Sequence, residues 1–443
     1  MAQYPEAMTS VISPSVPEPR LLSRQVLAWG LWDWGSAAFN AVVTTFVFTA
    51  YLTGNPAFGG EAFVSAQLSW WIAGAGVVIA LLAPITGQRA DRSGHRKLWL
   101  GVNTYLVVAI TAGLAVVAPK PDLLWVGLFL LAAGNVFFEF ASVNYNAMLG
   151  QISTPSTIGK ISGFGWGLGY VAGIVLLLFL YVTLIGPDVG MFGITSADGW
   201  DVRVSMLIAA AWLGLFAIPV LRVVPETPGT AAPGAKIGFF ASYRKLGRDL
   251  VALWRNDRTT AKFLIASAIF RDGLAGVFTF AGVLAIGTFG FSGGDVLIFG
   301  VAANIVAGVV TIASGRLDDR FGARTVILAS LIGLVTFGII LFFLHDAGTT
   351  LFWIFGLGLA AFVGPAQSAS RSFLARIIPE GKEGEMFGLY ATTGRAVSFI
   401  APAAFGLFIS VGGAQYFGIL GLVLVLALGL ALMIPVRTPA AKA

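Results

Sequence analysis

The decapeptide Gly87-Gln88-Arg89-Ala90-Asp91-Arg92-Ser93-Gly94-His95-Arg96 is answered 228 residues later by Gly315-Arg316-Leu317-Asp318-Asp319-Arg320-Phe321-Gly322-Ala323-Arg324. Five positions recur at fixed offsets: Gly87, Asp91, Arg92, Gly94 and Arg96 in one copy, Gly315, Asp319, Arg320, Gly322 and Arg324 in the other. Each copy follows an apolar run of bilayer-spanning length. One motif at equivalent places in two halves marks a duplicated membrane protein.

Composition outside the motif agrees. The chain is 57% hydrophobic and 11% charged, whereas soluble domains are about a quarter charged. Apolar runs of about 20 residues, enough for a helix to cross about 30 Å of hydrocarbon, recur from Val26 to Pro435. They predict twelve spans, at 26–50, 63–86, 98–118, 123–149, 159–184, 204–221, 263–289, 294–314, 325–344, 350–377, 386–411 and 415–435. Val171 to Leu180 is apolar on every side, unlike the alternating strands of a membrane barrel. The expected fold class is an all-α membrane protein of twelve transmembrane helices in two pseudo-symmetric six-helix bundles. The bundles occupy 26–222 and 263–436, with tails at 1–25 and 437–443 and a linker at 223–262.

The chain has no Cys, and its two His, His95 and His345, are far apart. Thiolate chemistry is excluded, and no metal site is expected. No nucleotide-binding loop is evident, so neither an enzyme nor an ATP-driven pump is expected, and no cofactor is. With twelve spans, 22 of the 27 Lys and Arg fall on one side and only Lys120 and Arg203 on the other. The positive-inside rule then places both termini in the cytoplasm, and the net charge of +6 reflects topology rather than nucleic-acid binding. The first 25 residues, rich in Pro and charge, do not read as a cleavable signal. A bacterial inner membrane and a monomer are the expectation.

Pro225 to Ala235 reads as a flexible connection. Beyond it, Phe239, Tyr243, Leu246, Leu250 and Leu253 recur every three or four residues among Arg244, Lys245, Arg248, Arg255 and Arg258. That pattern predicts a basic amphipathic helix on the membrane surface, either a strut between halves or a partner site.

The repeat extends into the spans. At an offset of 225, Asn146 aligns with Arg371, Leu149 with Leu374, Ile152 with Ile377, Gly163 with Gly388 and Gly169 with Gly394. Asp33 and Phe39 in span one correspond to Asp272 and Phe278 in span seven. Two six-helix bundles running in the same direction are the parallel-repeat plan of the major facilitator superfamily. Within the motif, Gly87 and Gly315 permit close helix packing, and Gly94 and Gly322 a tight turn. Asp91 or Asp319 can meet a helix N-terminus or an Arg and act as a conformational latch; the alternative is that these charges only guide folding and topology.

Six ionisable residues fall near mid-membrane when depth is counted at about 1.5 Å per residue: Asp33, Glu139, Asp272, Arg271, Arg371 and Arg395. Such groups face a cavity, a partner or a proton path; static pairing between helices is the plain alternative. Burial and a neighbouring Arg act in opposite senses on a carboxyl, so it can exchange a proton as its surroundings change. Asp33, with no base within a helical turn, is the first candidate for coupling. The arginines suit a carboxylate or phosphate on a solute, while Asp33 or Glu139 suits an amine. Asn144, Trp166, Tyr170, Gln367 and Tyr390 complete the candidate site.

The chain resembles the UMF1 family of the major facilitator superfamily, similar to the fungal vacuolar effluxer autophagy-related protein 22. Ala28, Trp29, Asp33, Trp34, Ala38 and Phe39 carry the resemblance in span one; Ser162, Gly163, Gly165, Trp166, Gly169 and Tyr170 in span five; Arg271, Asp272 and Gly273 in span seven. Gln367, Ser370, Arg371, Ser372, Ala375, Arg376, Pro379, Phe387, Gly388, Tyr390 and Gly394 carry it in spans ten and eleven. It implies a secondary transporter, and its fungal members suggest amino-acid export. This chain departs at Ser36 and Ala37, where similar proteins tend to have Asn-Ser, and at Arg395, where Lys is common. The expected function is alternating-access movement of a small polar solute through the lipid bilayer, coupled to protons. The rival readings are export of amphipathic compounds and a non-transporting receptor or scaffold.

Overall fold

The computed structural model describes residues 22–226, 229, 239–291 and 293–437. The N-terminal tail before Leu22, most of the flexible connection and the last residues lie outside them. Among the described residues eleven helices are long and apolar enough to cross a membrane, and Phe417–Met433 is a shorter twelfth. No strand occurs among the described residues.

Spans one to six comprise Arg24–Gly54, Glu61–Ser93, Arg96–Gly113, Pro121–Ala147, Ile158–Leu180 and Trp200–Val223. Spans seven to ten are Arg258–Gly287, Gly293–Phe321, Ala323–Phe343 and Thr349–Ile377. Span eleven is two pieces, Glu383–Val397 and Ile400–Gly412, and span twelve is Phe417–Met433. The surface helix is Phe239–Asn256; its Leu253 packs on the core while Arg244, Arg248 and Arg255 are exposed.

Helix ends differ from the apolar runs in an instructive way. The repeated motif is mostly helix: span two continues to Ser93 and span eight to Phe321. Gly94 and Gly322 stop them in the left-handed region, at φ 70° and 85°, where L side chains are strained and Gly is not. Asp91 and Asp319 therefore project from rigid final turns rather than from loops. Span one carries a π-helical stretch, Ala38–Phe46, just beyond Asp33, a feature often found at functional sites. Span eleven breaks at Ser398 and Phe399 because Pro402 lacks the N–H that would reach the Ser398 carbonyl.

The halves meet through glycines on the side bearing both motifs. Span two lies on span eleven: a Cβ at Gly87 would collide with the Gly384 carbonyl, and one at Gly388 would lie 2.6 Å from the Ala83 oxygen. Span five lies on span eight in the same way, a Cβ at Gly163 falling 2.7 Å from the Thr311 oxygen. Toward the other face this contact is lost, and Gly74 and Gly76 of span two and Gly300 of span eight look onto open space. One apolar cluster, including Ala83, Phe140, Phe263, Phe373 and Phe387, runs continuously across the closed side. The molecule is closed on the motif side and splayed on the other.

Candidate transport site

On the closed side, each motif Asp reaches the N-terminus of a helix in the opposite half. Asp91 accepts the backbone N–H groups of Gly384 and Glu385, both at 2.9 Å, at the start of span eleven. Asp319 accepts those of Gly159 and Lys160, at 2.7 and 3.0 Å, at the start of span five. Each carboxylate meets orphan N–H groups at the positive end of a helix dipole. One such contact crosses the seam from each copy of the motif.

Their basic partners are not duplicated. Arg96 grips Asp91 at 2.8 Å and crosses to Glu383 at 2.5 Å, and Gln88 reaches Glu385 at 3.2 Å. The equivalent Arg324 instead donates to the Val436 and Ile434 carbonyls, both at 2.6 Å, at the end of span twelve. Its expected latch role is corrected: it holds its own half together. Its place is taken by Arg376 of span ten, which pairs with Asp318 and, at 3.1 Å, with Asp319. Asp318 also accepts from Ser372, and Lys160 stands 3.8 Å from Asp319. Sequence comparison missed Asp318 because Ala90 occupies its place in the first copy. Arg320 rests against Phe321, and Arg92 supplies the basic residue of span two's last turn.

At mid-depth, four of the six ionisable residues form two ion pairs, and both cross between the halves. Asp33 of span one meets Arg371 of span ten at 3.3 Å, and Glu139 of span four meets Arg395 of span eleven at 3.1 Å. The two differ in access. Arg371 and Asp33 expose 5% and 16% of their side chains, Arg395 and Glu139 33% and 20%.

The buried pair is fully built. Tyr145 donates to Asp33 at 2.8 Å. Arg371 donates to the Ser162 hydroxyl at 3.0 Å, the Ser162 carbonyl at 2.6 Å and the Asn146 side-chain oxygen at 3.3 Å. Trp29, Tyr145 and Trp166 surround the guanidinium with ring centroids at 4.8, 5.8 and 5.7 Å, each a cation–π contact. Asn146 and Arg371, equivalent under the repeat, touch one another. A Cβ at Gly165 would fall 2.5 Å from Asp33 Oδ2 and 2.7 Å from Trp29, so only Gly fits beside the pair.

Two expected site residues are engaged elsewhere. Asp272 accepts the Ala401 N–H at 2.6 Å and caps the upper piece of span eleven; it mends the helix break rather than lining the cleft. Asn144 is 1% exposed and bonded to the Phe140 carbonyl of its own helix, so it too is withdrawn from the site. Tyr390 spends its hydroxyl on Ser370 at 2.7 Å and lends its ring and carbonyl to Arg271. Trp166 Nε1 is buried without an acceptor, and the Gln367 side chain makes no hydrogen bond among the described residues. Tyr170 of span five stacks on Phe278 of span seven at 6.1 Å. No group of residues among those described has the make-up of a metal site.

Twelve helices in two like-oriented bundles, with charged pairs across the central seam, define a transporter of the major facilitator superfamily. A solved transporter of that superfamily, FucP in the outward conformation, superposes with a TM-score of 0.68 over 93% of this chain and 98% of that one, at 15% identity. The family described as "Vacuole effluxer Atg22 like" matches residues 72–443, and the chain belongs to it. The uncharacterized MFS-type transporter YxiO of Bacillus subtilis is 28% identical over 93% of this chain and 94% of its own length. Autophagy-related protein 22 of Yarrowia lipolytica is 24% identical over 63% of this chain but only 51% of its own length. The chain is a multi-pass membrane transporter, not an enzyme.

Proposed function

We infer that this chain moves a small polar solute, zwitterionic or anionic, by alternating access, with proton movement as the driving reaction. The observation that carries the reading is that both mid-depth ion pairs join opposite halves. Opening the closed side would separate Asp33 from Arg371 and Glu139 from Arg395. Breaking a buried pair without replacement costs about 3–5 kcal/mol, so a charged solute or a proton that substitutes for the lost partner would govern the transition. Asp33, buried against a single Arg and a Tyr, is the candidate proton carrier. Glu139 and Arg395, more accessible, are the candidate contacts for an amine and a carboxylate, so amino acids are the first solutes to test.

With the motif side toward the cytoplasm of a bacterial inner membrane, as the basic residues favour, the conformation described is outward-open, with both termini inside and a single chain sufficient for transport. Purified protein in liposomes tests this, by uptake of labelled amino acids under an imposed pH gradient. Gradient-driven uptake lost in Asp33→Asn while solute exchange persists supports the reading; undiminished uptake in that variant refutes the coupling role.

Export of amphipathic compounds is favoured by a different observation. A cleft of about 480 Å³ on the open side, between spans two and four, is lined by Trp70, Trp71, Val78, Phe129, Ala132 and Val136. Saturable transport of tetraphenylphosphonium, blocked by Val78→Trp, would promote that reading above the first.

A further inference from the structure

Once the mid-depth charges are matched with their partners among the described residues, one cation is left over. Asp33 is taken by Arg371, Glu139 by Arg395, and Asp272 by the Ala401 amide at a helix start. Among the described residues Arg271 has no carboxylate partner. Its guanidinium donates to the Tyr390 carbonyl at 3.0 Å and lies 3.7 Å over the Tyr390 ring, and both offer only partial negative charge. Arg271 is partly exposed. A mid-span charge turned toward acyl chains is costly, and that cost argues for a guanidinium turned toward the seam between the halves.

We propose that Arg271 is the docking point for a carboxylate and that the solute is an organic monoanion with an apolar or aromatic body. This deepens the transport reading above and rests on it. A planar guanidinium matches a carboxylate fork in two parallel hydrogen bonds. Seating an anion there breaks neither cross-half ion pair, whereas a zwitterion must displace Arg395 or Arg371 to give its ammonium a carboxylate. Charge thus ranks the solutes: anion first, zwitterion second, cation last.

The wall beside Arg271 suits the body of such a solute. Phe278 stands seven residues on, on the same face of span seven, and stacks with Tyr170, which is 6.1 Å from Trp166. Trp166 Nε1, buried without an acceptor, provides a further donor for a polar atom of the solute. Gly394 makes room on the other flank: a Cβ there would fall 3.3 Å from the Arg271 guanidinium.

Matched ligands separate charge from shape. The phenylalkyl set is 3-phenylpropanoate, phenylalanine and 2-phenylethylamine; the small set is propanoate, alanine and ethylamine. Thermal stabilisation of the purified full chain is measured with each, since a ligand that binds only the folded state raises the melting temperature. The expected result is a shift with the acid that exceeds the shifts with the amino acid and amine of the same skeleton. That shift is lost in Arg271→Gln, restored in Arg271→Lys, and reduced in Gly394→Ala, which crowds the guanidinium without removing it. An amino acid that stabilises as well as its matched acid overturns the anion assignment and leaves the transport reading standing. So does an acid shift that survives Arg271→Gln. No shift with any ligand of either set, together with no flux of any of them in liposomes, overturns both.

Discussion

Replacing Asp91 by Asn keeps the shape of the first latch and removes its charge. In the closed conformation that carboxylate accepts two backbone N–H groups at the start of span eleven and pairs with Arg96, all within a buried seam. Loss of a partly buried charge at a helix N-terminus costs up to about 2 kcal/mol. An Asn oxygen retains at most part of the two charge-assisted hydrogen bonds, so the closed state loses about 2–3 kcal/mol relative to the open one. That is roughly a 30- to 150-fold change in the equilibrium. If the motif side is open about 1% of the time in the parent chain, the variant opens it for a quarter of the population or more. The chain has no Cys, so spin labels at introduced His95→Cys and Glu380→Cys are unique. Both positions are exposed, on the closed side of opposite halves. Electron–electron distance measurements on that pair should show a second, longer distance in Asp91→Asn. An unchanged distribution would refute the claim that this carboxylate holds the side shut.

Arg324→Ala should lower thermal stability by about 1–3 kcal/mol through two lost hydrogen bonds to span-twelve carbonyls, while leaving the His95–Glu380 label distance in place; a lengthened distance would restore Arg324 to the latch. Asp272→Ala should cost about 1–2 kcal/mol by uncapping Ile400–Gly412, and calorimetry showing no loss would count against the capping role. Gly165→Ala should push a methyl into Asp33 and Trp29, and such overpacking costs about 1–3 kcal/mol. Folded, membrane-inserted Gly165→Ala with full gradient-driven flux would show that the buried pair tolerates displacement.

The span count, the bundle plan and the motif carboxylates that meet helix starts were legible because each rests on a linear signal: apolar length, a repeat offset, a fixed motif. Helix ends were not, since hydropathy reports where the hydrocarbon stops, and spans two and eight continue as polar helix past that edge. Depth counting found the six mid-membrane charges but not their partners. Residues adjacent on a helix point about 100° apart, which is why Arg271 and Asp272, one position apart, meet Tyr390 and the Ala401 amide respectively. Glu383 and Arg376 acquire their roles only when the halves meet, and no spacing along one chain encodes which helix of one bundle faces which helix of the other.

The two ion pairs and the two Asp–helix contacts proposed as latches are not independent layers. Arg371 is held by Ser162 on span five; span five is held at its start by Asp319 of span eight; and Asp318 of span eight holds Ser372, the neighbour of Arg371, on span ten. That circuit ties the buried pair rigidly to the second latch through three helices. The first latch is joined to the accessible pair by one short helix: Glu383–Val397 carries the Asp91 contacts at its start and Arg395 in its last turn, and is severed from the rest of span eleven just beyond. Displacing Arg395 therefore acts on a helix already free of its upper half, whereas displacing Arg371 must strain three packed spans. The asymmetry between Arg96 and Arg324 matches this division: Asp91 and Asp319 both bridge the halves, but only the first copy adds a motif arginine that does so.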